Sequence, residues 1–352
     1  MSVPKLKHHI IDALTIPATE GISVTPTEIK NLRTWILSDG RTGHLNQSLG
    51  VAEALGIKAP DVVPIVPRGP LHKLRRIFLP MHAWQLPAGP YPQLLIGTGW
   101  GASQVSRLIK HVNPNTFTVQ LMRPSGQMAD YDVVAMPLHD NPPALENVMA
   151  TIGAPNRIFK ERLETEAERW RKRLLDAPEP RLALLLGGNT KGFSLGEVEA
   201  QQILDKVLPL ARKHGLSIVT TTSRRTAPAV EVMVQQALVA SGISHYFWSA
   251  NTPTARDNPF LAYLATSQAV VVTADSVSMI SEACTAGLPV SVWGLERVQR
   301  AKFGQFYAVL QQQKRIAPLA DKLNLRSPAY PLADTRQVAG FIQGKLARML
   351  VD

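Results

Sequence analysis

The residues most able to do chemistry stand directly after short apolar runs rich in β-branched side chains. In one such stretch, the pattern predicts a strand over residues 270–273 and a helix over residues 277–286. Asp275 or Ser276 can cap this helix, whose N-terminal backbone N–H groups and positive dipole end favour an anion such as a phosphate. Glu282, about two turns into the helix, could bind a ribose or sugar hydroxyl. The alternative is an ordinary helix cap followed by a solvated glutamate.

Two further loops in the second half of the chain combine small, hydroxyl and cationic residues after a predicted strand. The loop GGNTKG, residues 187–192, follows a strand over 182–186, and the loop TTSRRT, residues 221–226, ends a strand over 217–222. Glycine lets the backbone approach a ligand closely, and lysine and arginine side chains pair with phosphate oxygens. The first loop lacks the spacing of a P-loop. The alternative for the second loop is a pair of solvated surface arginines.

The carboxyl ends of parallel strands meet at one edge of a sheet, so these three loops are expected to face one cleft and to form a nucleotide-diphosphate site. No metal site is predicted, because arginines and a helix N-terminus can stabilise phosphate charge without a metal. No cofactor is predicted either, and the nucleotide-sugar is expected to be a substrate. The residues predicted to bind it are Gly187, Gly188, Asn189, Thr190, Lys191, Ser223, Arg224, Arg225, Thr226, Asp275, Ser276, Ser278 and Met279.

One loop in the first half of the chain has residues suited to proton transfer. Residues 39–44, with the sequence DGRTGH, connect a strand predicted over 35–38 to a helix predicted over 45–55. A neutral His44 near the start of this helix could act as a general base, and Asp39 is a second candidate for the same role. The alternative is that His44 and its polar neighbours only cap the helix and stabilise the turn.

Composition restricts the class of protein. The chain of 352 residues is long enough for two domains, and 38 Lys and Arg against 27 Asp and Glu give a formal charge of +11, which favours an anionic partner. The single cysteine, Cys284, excludes a disulfide framework and a cysteine-based metal site. No apolar run reaches transmembrane length, and the N-terminus lacks the apolar region of a signal peptide, so a cytoplasmic location is predicted. No nucleic-acid-binding module is recognisable, so nucleic acid is not a predicted partner.

One basic segment, residues 68–84, could place the protein on a membrane. Apolar side chains alternate there with Lys73, Arg75 and Arg76, and Trp84 stands at its end. A basic amphipathic segment with a tryptophan is typical of peripheral binding to the anionic inner face of a membrane. The alternative is a solvated helix whose apolar side faces the core.

Predicted strands and helices alternate in both halves of the chain, which is typical of an α/β fold with doubly wound parallel sheets. A charged helix predicted over residues 158–175 and the following APEP segment, residues 177–180, separate the two halves. The predicted divisions are an N-terminal extension (1–30), a first Rossmann-like domain (31–157), a linker helix (158–180), a second Rossmann-like domain (181–334) and a C-terminal helix (335–352).

Six motifs together resemble one family over residues 34–293: SDGRTGHLNQSLGVAEAL, MPLHD, LLLGGNTKG, TTSRRT, NPFLAYLA and VVTADSVSMISEACTAGLPV. This is the plant mitochondrial-fission (elongated mitochondria) family with its bacterial relatives, which in turn resembles the GT-B glycosyltransferases. The resemblance implies two Rossmann-like domains that face each other across a cleft. The family is also similar to the enzyme that adds N-acetylglucosamine to lipid I. That similarity implies that Gly43 and His44 face the acceptor, that residues 187–189 lie beneath the donor diphosphate and that Glu282 holds the ribose or sugar.

The leading hypothesis is a GT-B glycosyltransferase that uses a nucleotide-activated sugar and a lipid-linked or envelope glycan acceptor. Its predicted catalytic residues are His44, Asp39 and Glu282. One alternative is a non-catalytic adaptor for a membrane or protein partner on the same fold, since the plant members are associated with recruiting a dynamin-type GTPase. The other alternative is a nucleotide-sugar epimerase. The sequence does not name the nucleotide, the sugar, the acceptor, the stereochemical outcome or the oligomeric state.

Overall fold

The chain forms two parallel β-sheets flanked by helices. The structure, a computed structural model, describes residues 26–68, 81–251, 257–298 and 301–349. These ranges contain two six-stranded sheets in which all neighbouring strands run parallel. The first sheet contains β1 (Thr34–Ser38), β2 (Asp61–Pro64), β3 (Leu94–Thr98), β4 (Phe117–Leu121), β5 (Val133–Pro137) and β6 (Val148–Thr151). The second contains β7 (Arg181–Leu185), β8 (Ser217–Thr221), β9 (His245–Trp248), β10 (Ser267–Thr273), β11 (Val290–Trp293) and β12 (Ile316–Pro318). The predicted α/β class with two parallel sheets is confirmed.

The order of the strands creates a crevice in each sheet. The first sheet has the order β2-β1-β3-β4-β5-β6, and the second has the order β12-β11-β10-β7-β8-β9. The order therefore reverses between β1 and β3 in one sheet and between β7 and β10 in the other. At such a switch point, the connections leave toward opposite faces and open a crevice outside the carboxyl ends of the two strands. The predicted site loops 39–44, 187–192 and 274–276 all follow strands at these two switch points.

Ten helices are found in the described ranges. They are α1 (Pro26–Ile29), α2 (Thr42–Ala54), α3 (Gly99–Val112), α4 (Lys160–Trp170), α5 (Glu197–Lys213), α6 (Pro228–Ser241), α7 (Phe260–Thr266), α8 (Val277–Thr285), α9 (Ala301–Gln312) and α10 (Asp334–Met349). Because helices cover both faces of the sheets, the central strands are buried on both sides and consist of almost continuous apolar residues. Proline begins α6, and Gly242 and Gly287 take left-handed backbone angles after α6 and α8, as expected at helix ends.

Helix α10 belongs to the first core although it is the last element of the chain. Its residues Val338, Ile342 and Leu346 are buried against Ile36 and Val51 of the first half. The chain therefore crosses between the sheets twice, once through residues 152–159 and once through residues 331–333, which precede α10.

Buried hydrogen bonds tie the two crossing segments together. The Asp334 carboxylate accepts the backbone N–H of Ile152 at 2.7 Å and that of Gly153 at 3.0 Å. The hydroxyl of Thr335 accepts the backbone N–H of Asn156 at 2.8 Å. Burial raises the pKa of Asp334 to about 6, although its two backbone donors act in the opposite direction. These bonds fix the start of α10 to the segment that leaves the first sheet.

Most predicted elements agree with the structure to within a few residues. The strands predicted over 182–186 and 217–222 are Arg181–Leu185 and Ser217–Thr221, and the helix predicted over 277–286 is Val277–Thr285. The helix predicted over 45–55 instead begins at Thr42, so His44 lies inside its first turn. The charged helix predicted over 158–175 is α-helical only from Lys160 to Trp170 and ends in a 3₁₀ turn.

The sequence patterns do not predict β6, β12, α6 or α9. Strand β12 has only three residues, which is too short for a clear periodicity, and β6 contains Met149 and Ala150, which favour a helix. Helix α6 contains one charged residue, Glu231, and so lacks a polar stripe, and Gly304 weakens the helical pattern of α9. Of the predicted N-terminal extension, residues 1–25 lie outside the described ranges, and Ile29 is buried in the first core.

Two glycines of α2 provide a test of the packing between this helix and the first crossing segment. A Cβ at Gly50 would lie 2.2 Å from the carbonyl oxygen of Asn156, whereas a Cβ at Gly43 would meet nothing within 4 Å. We expect Gly50→Ala to lower the free energy of unfolding by about 1–3 kcal/mol, because the crossing backbone must shift to admit the methyl group. Gly43→Ala, the matched control, should be neutral or stabilising because alanine favours a helix. Denaturant titration of both variants measures the difference, and equal stability of the two would contradict this packing.

Candidate functional site

The carboxyl ends of four neighbouring strands in the first sheet enclose a small pocket. The loops after β1, β3, β4 and β5 form its walls, and its volume is about 200 Å³. We call it the dyad pocket, because Asp39 and His44 form a pair within it. Its lining residues are Asp39, Arg41, His44, Trp84, Gly99, Trp100, Gly101, Met122, Arg123 and Asp140.

Asp39 and His44 form a largely buried hydrogen-bonded pair. His44 Nδ1 lies 3.0 Å from Asp39 Oδ2, and the two side chains are 17% and 12% exposed. Burial alone would raise the pKa of Asp39, but the hydrogen bond and charge of His44, with help from Arg41, outweigh it and hold that pKa below its usual value. Because an ionised carboxylate can only accept, His44 Nδ1 carries a proton in this pair, and Nε2 is an acceptor whenever the ring is neutral. The pair therefore has the arrangement that a general base needs.

Gly99 makes room for the histidine from the other side of the switch point. Its φ angle is +84°, and a Cβ at this position would lie 2.6 Å from Cε1 of His44. Only glycine satisfies both the left-handed backbone angle and the close contact. Gly99, which follows β3, thus packs against the imidazole ring of His44, which lies in the first turn of α2 after β1.

In the second sheet, Asp275 holds the glycine loop at the switch point. Its fully buried carboxylate accepts the N–H of Gly188 at 3.0 Å, the hydroxyl of Thr273 at 2.7 Å and the guanidinium of Arg225 at 2.9 Å. A Cβ at Gly187 would lie 2.0 Å from the same carboxylate. Burial raises the pKa of Asp275 despite these donors. The Asp275 side chain therefore does not cap α8. It binds the backbone of the glycine loop and the Arg225 side chain from inside the protein.

The glycine loop donates its backbone N–H groups inside the protein. For residues 187, 188, 189 and 190 in turn, the acceptors are Thr273 Oγ1, Asp275 Oδ2, the Arg225 carbonyl and the Phe193 carbonyl, at 2.8, 3.0, 3.2 and 2.8 Å. A phosphate next to this loop would therefore meet side chains instead of a cradle of free N–H groups. Lys191 is exposed and could supply such a side chain.

The two arginines of the loop after β8 differ in their partners. Arg225 pairs with Asp275, whereas Arg224 donates through Nη2 to the hydroxyl of Thr42 at 3.3 Å, in the first half of the chain. The hydroxyl of Thr226 donates to the carbonyl of Gly187, and that of Ser223 accepts the N–H of Arg225 at 3.2 Å. The loop therefore joins the second switch point to the beginning of α2.

Ser276 caps helix α8. Its hydroxyl accepts the N–H of Met279 at 3.4 Å, as its position before the helix predicts. Ser278, in the first turn, is exposed, and Met279 is half-buried. Of the residues predicted around this helix start, Ser278 therefore has its side chain available to a ligand.

Glu282 lies in a separate pocket of about 260 Å³, which we call the glutamate pocket. It keeps some exposed surface toward this pocket, and the protein surrounds it on its other sides. This burial raises the pKa of Glu282 to about 8, and the charge of Arg162 offsets it only in part. At neutral pH the carboxyl group is therefore mostly protonated and can both donate and accept a hydrogen bond. The lining residues are Asn46, Arg157, Ile158, Arg162, Glu166, Arg169, Asn258, Phe260, Leu261 and Glu282.

The arginines of the glutamate pocket are shared with neighbouring carboxylates. Glu53 pairs with Arg157 and lies 3.7 Å from Arg162. Arg169 lies 3.2 Å from Glu166 and also pairs with Asp257. These pairs fix the guanidinium groups around the pocket and reduce its net positive charge.

The structure brings the predicted residues together in three places. Asp39 and His44 form the dyad pocket, residues 187–191, 223–226 and 275–279 surround the second switch point, and Glu282 lies apart in the glutamate pocket. The sequence analysis missed Trp100 and Arg123 of the dyad pocket, although the glycine-rich turn around Trp100 after β3 was a usable signal. It also missed the arginines and Phe260 of the glutamate pocket, which look like ordinary helix surface in the sequence.

The predicted membrane-binding segment, residues 68–84, falls mainly outside the described ranges, which omit residues 69–80. Trp84 at its end is fully buried, and a Cβ at Gly101 would lie 2.9 Å from its ring. This tryptophan therefore packs in the first half of the protein and is not available to a membrane. Among the helices that the structure describes, none combines the length and the apolarity needed to cross a membrane.

The two parallel sheets, with crevices at their switch points and a C-terminal helix that returns to the first core, define a GT-B-like fold. The solved structure of UDP-GlcNAc 2-epimerase from Methanocaldococcus jannaschii has the same architecture, with a TM-score of 0.53 and 10% identity over 90% of this chain and 99% of that chain. At this identity the likeness concerns the fold alone.

The chain belongs to the mitochondrial fission ELM1 family, whose model matches residues 42–346. It is 27% identical over 281 residues to mitochondrial fission protein ELM1 of Arabidopsis thaliana, which covers 73% of this chain and 64% of that protein. It is 24% identical over 357 residues to an uncharacterized protein of Rickettsia prowazekii (strain Madrid E), which covers 88% of this chain and 97% of that protein. The chain thus spans less than two thirds of the Arabidopsis relative and almost all of the bacterial one.

The raised pKa of Glu282 gives a test of its burial. In the folded protein its pKa is about 8, above the value of 4.5 for an unperturbed glutamate, so its contribution to stability is lost as the pH rises through 8. Glu282→Gln cannot titrate. We therefore expect the Tm of the wild type, relative to that of Glu282→Gln, to fall between pH 6 and pH 9. A Tm difference that stays constant over this range would contradict the burial of the carboxyl group.

Proposed function

We propose that this chain is a glycosyltransferase that takes a nucleotide-activated sugar in the cleft between its two sheets. The observation that carries the proposal is the hydrogen bond between Arg224 and Thr42, with a distance of 3.3 Å. Thr42 stands two residues before His44 in the first turn of α2. A guanidinium suited to phosphate and an imidazole suited to proton transfer are thereby brought into the same part of the cleft.

The Asp39–His44 pair would act on the acceptor. His44 Nδ1 is held by the ionised Asp39 at 3.0 Å, so Nε2 could take a proton from an acceptor hydroxyl in the dyad pocket. The hydroxyl oxygen would then form its bond with the anomeric carbon of the donor sugar, and the bond from that carbon to the phosphate oxygen would break. The proton would stay on His44 until solvent removes it.

The second half would bind the donor and stabilise the departing phosphate. Arg224, Arg225 and Lys191 are exposed cations at the ends of β7 and β8, and they could take up the developing charge. Glu282, protonated at neutral pH, could donate to one ribose hydroxyl and accept from another in the glutamate pocket. The acceptor would be a lipid-linked or envelope glycan, and the chain would reach it from the cytoplasmic side of the membrane.

A non-catalytic adaptor on the same fold is the second candidate, and one observation favours it. The N–H groups of residues 187–190 are all used inside the protein, and that of Gly188 is bound by the carboxylate of Asp275. A chain that no longer binds a nucleotide could use this closed loop only to stabilise its second domain. The test of the donor site therefore separates the two candidates.

The first experiment is a thermal-shift screen against UDP, GDP, CDP, CMP, ADP and their sugars. A ligand at about a hundred times its dissociation constant adds ~2.7 kcal/mol to the stability, which raises Tm by several degrees in a chain of this size. We expect such a shift with one nucleotide and its sugar, and we expect Glu282→Ala to abolish it. Glu168→Ala, an exposed glutamate on α4 that does not line the glutamate pocket, serves as the control. A flat response of the wild type across the whole panel would favour the adaptor.

The base is tested with the nucleotide-sugar that the screen identifies. We expect His44→Ala to lower the rate of sugar transfer or of donor hydrolysis by about 10²–10⁴-fold, since that is the usual contribution of a general base. Nucleotide binding, followed by thermal shift, should be unchanged. His214→Ala is the control, because His214 precedes β8 and lies at the opposite edge of the sheet from the site loops. A wild-type rate in His44→Ala would remove His44 from the mechanism.

A further inference from the structure

One cavity lies outside the cleft, where the two crossing segments meet. Its volume is about 490 Å³, and we call it the crossover cavity. The first crossing segment and α4 form one wall, α7 and the end of α8 form the second, and residues 331–336 form the third. It contains none of the predicted site residues. Its lining residues are Ile158, Phe159, Lys160, Leu163, Glu164, Ala167, Leu264, Ala265, Thr285, Ala286, Leu288, Pro331, Leu332, Ala333, Thr335 and Arg336.

The interior of the crossover cavity is apolar and offers few free polar groups. Phe159, Leu163 and Leu288 are half-buried and face it. The hydroxyl of Thr285 accepts from the Asn156 side chain at 2.9 Å and donates to a backbone carbonyl at 2.7 Å. The hydroxyl of Thr335 likewise accepts at 2.8 Å and donates at 3.1 Å within the protein. Ordered water needs two to four polar partners, so this space favours an apolar occupant.

The mouth of the crossover cavity is positively charged. Arg336 is exposed there, and no carboxylate in the described part of the chain pairs with its guanidinium. Lys160 lies at the same rim, 3.8 Å from Glu164, with side chains 80% and 64% exposed, so this pair is weak. Two cations therefore face one carboxylate at the opening of an apolar space. That combination complements a molecule with an apolar body and an anionic head.

We propose that the crossover cavity binds a single-chain anionic amphiphile of the fatty-carboxylate class. Its alkyl chain occupies the apolar space between α4, α7 and residues 331–336, and its head group pairs with Arg336. The cavity volume lies within the range of about 300–1,000 Å³ that is usual for small-molecule sites. Because the site is a recess between three chain segments, it takes a free molecule from solution, and an intact bilayer surface does not fit it.

The occupant would contact both segments that join the two domains. Asp334 and Thr335 already bind the first crossing segment through buried hydrogen bonds. An alkyl chain packed beside these bonds adds apolar contact between the same segments. Binding is therefore expected to stiffen the connection between the domains and to raise Tm.

Isothermal titration calorimetry with octanoate, decanoate and dodecanoate on the full chain tests the proposal. Each methylene buried adds ~0.8 kcal/mol, so Kd should tighten by about fifteenfold for every two carbons until the cavity is full. Ala265→Phe and Ala286→Leu fill the cavity from two different walls and should each abolish binding. Ala229→Phe, on the exposed face of α6, is the matched control and should bind as the wild type does. Thermal melting shows which variants are folded.

The charge at the mouth is tested with a matched uncharged ligand. We expect Arg336→Gln to weaken dodecanoate binding by about tenfold or more and to leave dodecanol binding unchanged. Lys172→Gln removes an exposed cation that does not line the cavity and should change neither. Two results would overturn the proposal: no binding of dodecanoate to the wild type, whether or not vesicles of anionic phospholipid bind, or wild-type binding in folded Ala265→Phe and Ala286→Leu. The proposed transferase activity is tested separately by nucleotide binding, so either proposal can fail without the other.

Discussion

The organisation of this protein depends on two contacts in which the missing Cβ of a glycine leaves space for a charged or titratable side chain. At the first switch point, Gly99 leaves space for the His44 ring, and at the second, Gly187 leaves space for the Asp275 carboxylate. In both cases the glycine and the side chain lie in the segments that follow the two strands between which the sheet order reverses. Parallel topology opens a crevice there, and the absence of a Cβ lets a functional group occupy its floor. Both sheets therefore pack a glycine against a polar side chain at their switch points.

The two sites differ in how their charges are satisfied. In the dyad pocket, Asp39 binds one ring nitrogen of His44, and His44 is among the residues that line the pocket. At the second switch point, Asp275 is surrounded by a hydroxyl, a backbone N–H and a guanidinium, and the glycine loop is closed on itself. The first site thus holds a titratable pair that lines a pocket, whereas the second holds a buried carboxylate whose partners are supplied by the protein itself. A donor phosphate would have to bind beside this internal pair, through Arg224 and other exposed cations.

The crossing segments connect these sites to the rest of the molecule. Helix α10 returns to the first core, and its first residues, Asp334 and Thr335, bind the segment that leaves that core. A change in the angle between the two domains would therefore deform this buried group of hydrogen bonds or the apolar cavity beside it. Besides the pockets at its site loops, this chain thus contains a recess that is lined by parts of both connections.

The sequence by itself determined the α/β class, most strand and helix positions, and the loops that surround the switch points. These features depend on local patterns, namely apolar runs, helix caps and glycine-rich turns, and such patterns survive without tertiary information. Only the tertiary structure decided that the N–H groups of residues 187–190 donate to acceptors within the protein, that Trp84 is buried, and that Glu282 lies among arginines of α4. From the sequence alone, those arginines are expected to be ordinary solvated residues of a charged helix. Whether a charge faces water, a neighbouring carboxylate or a pocket depends on contacts between residues far apart in the chain, and local patterns do not encode such contacts.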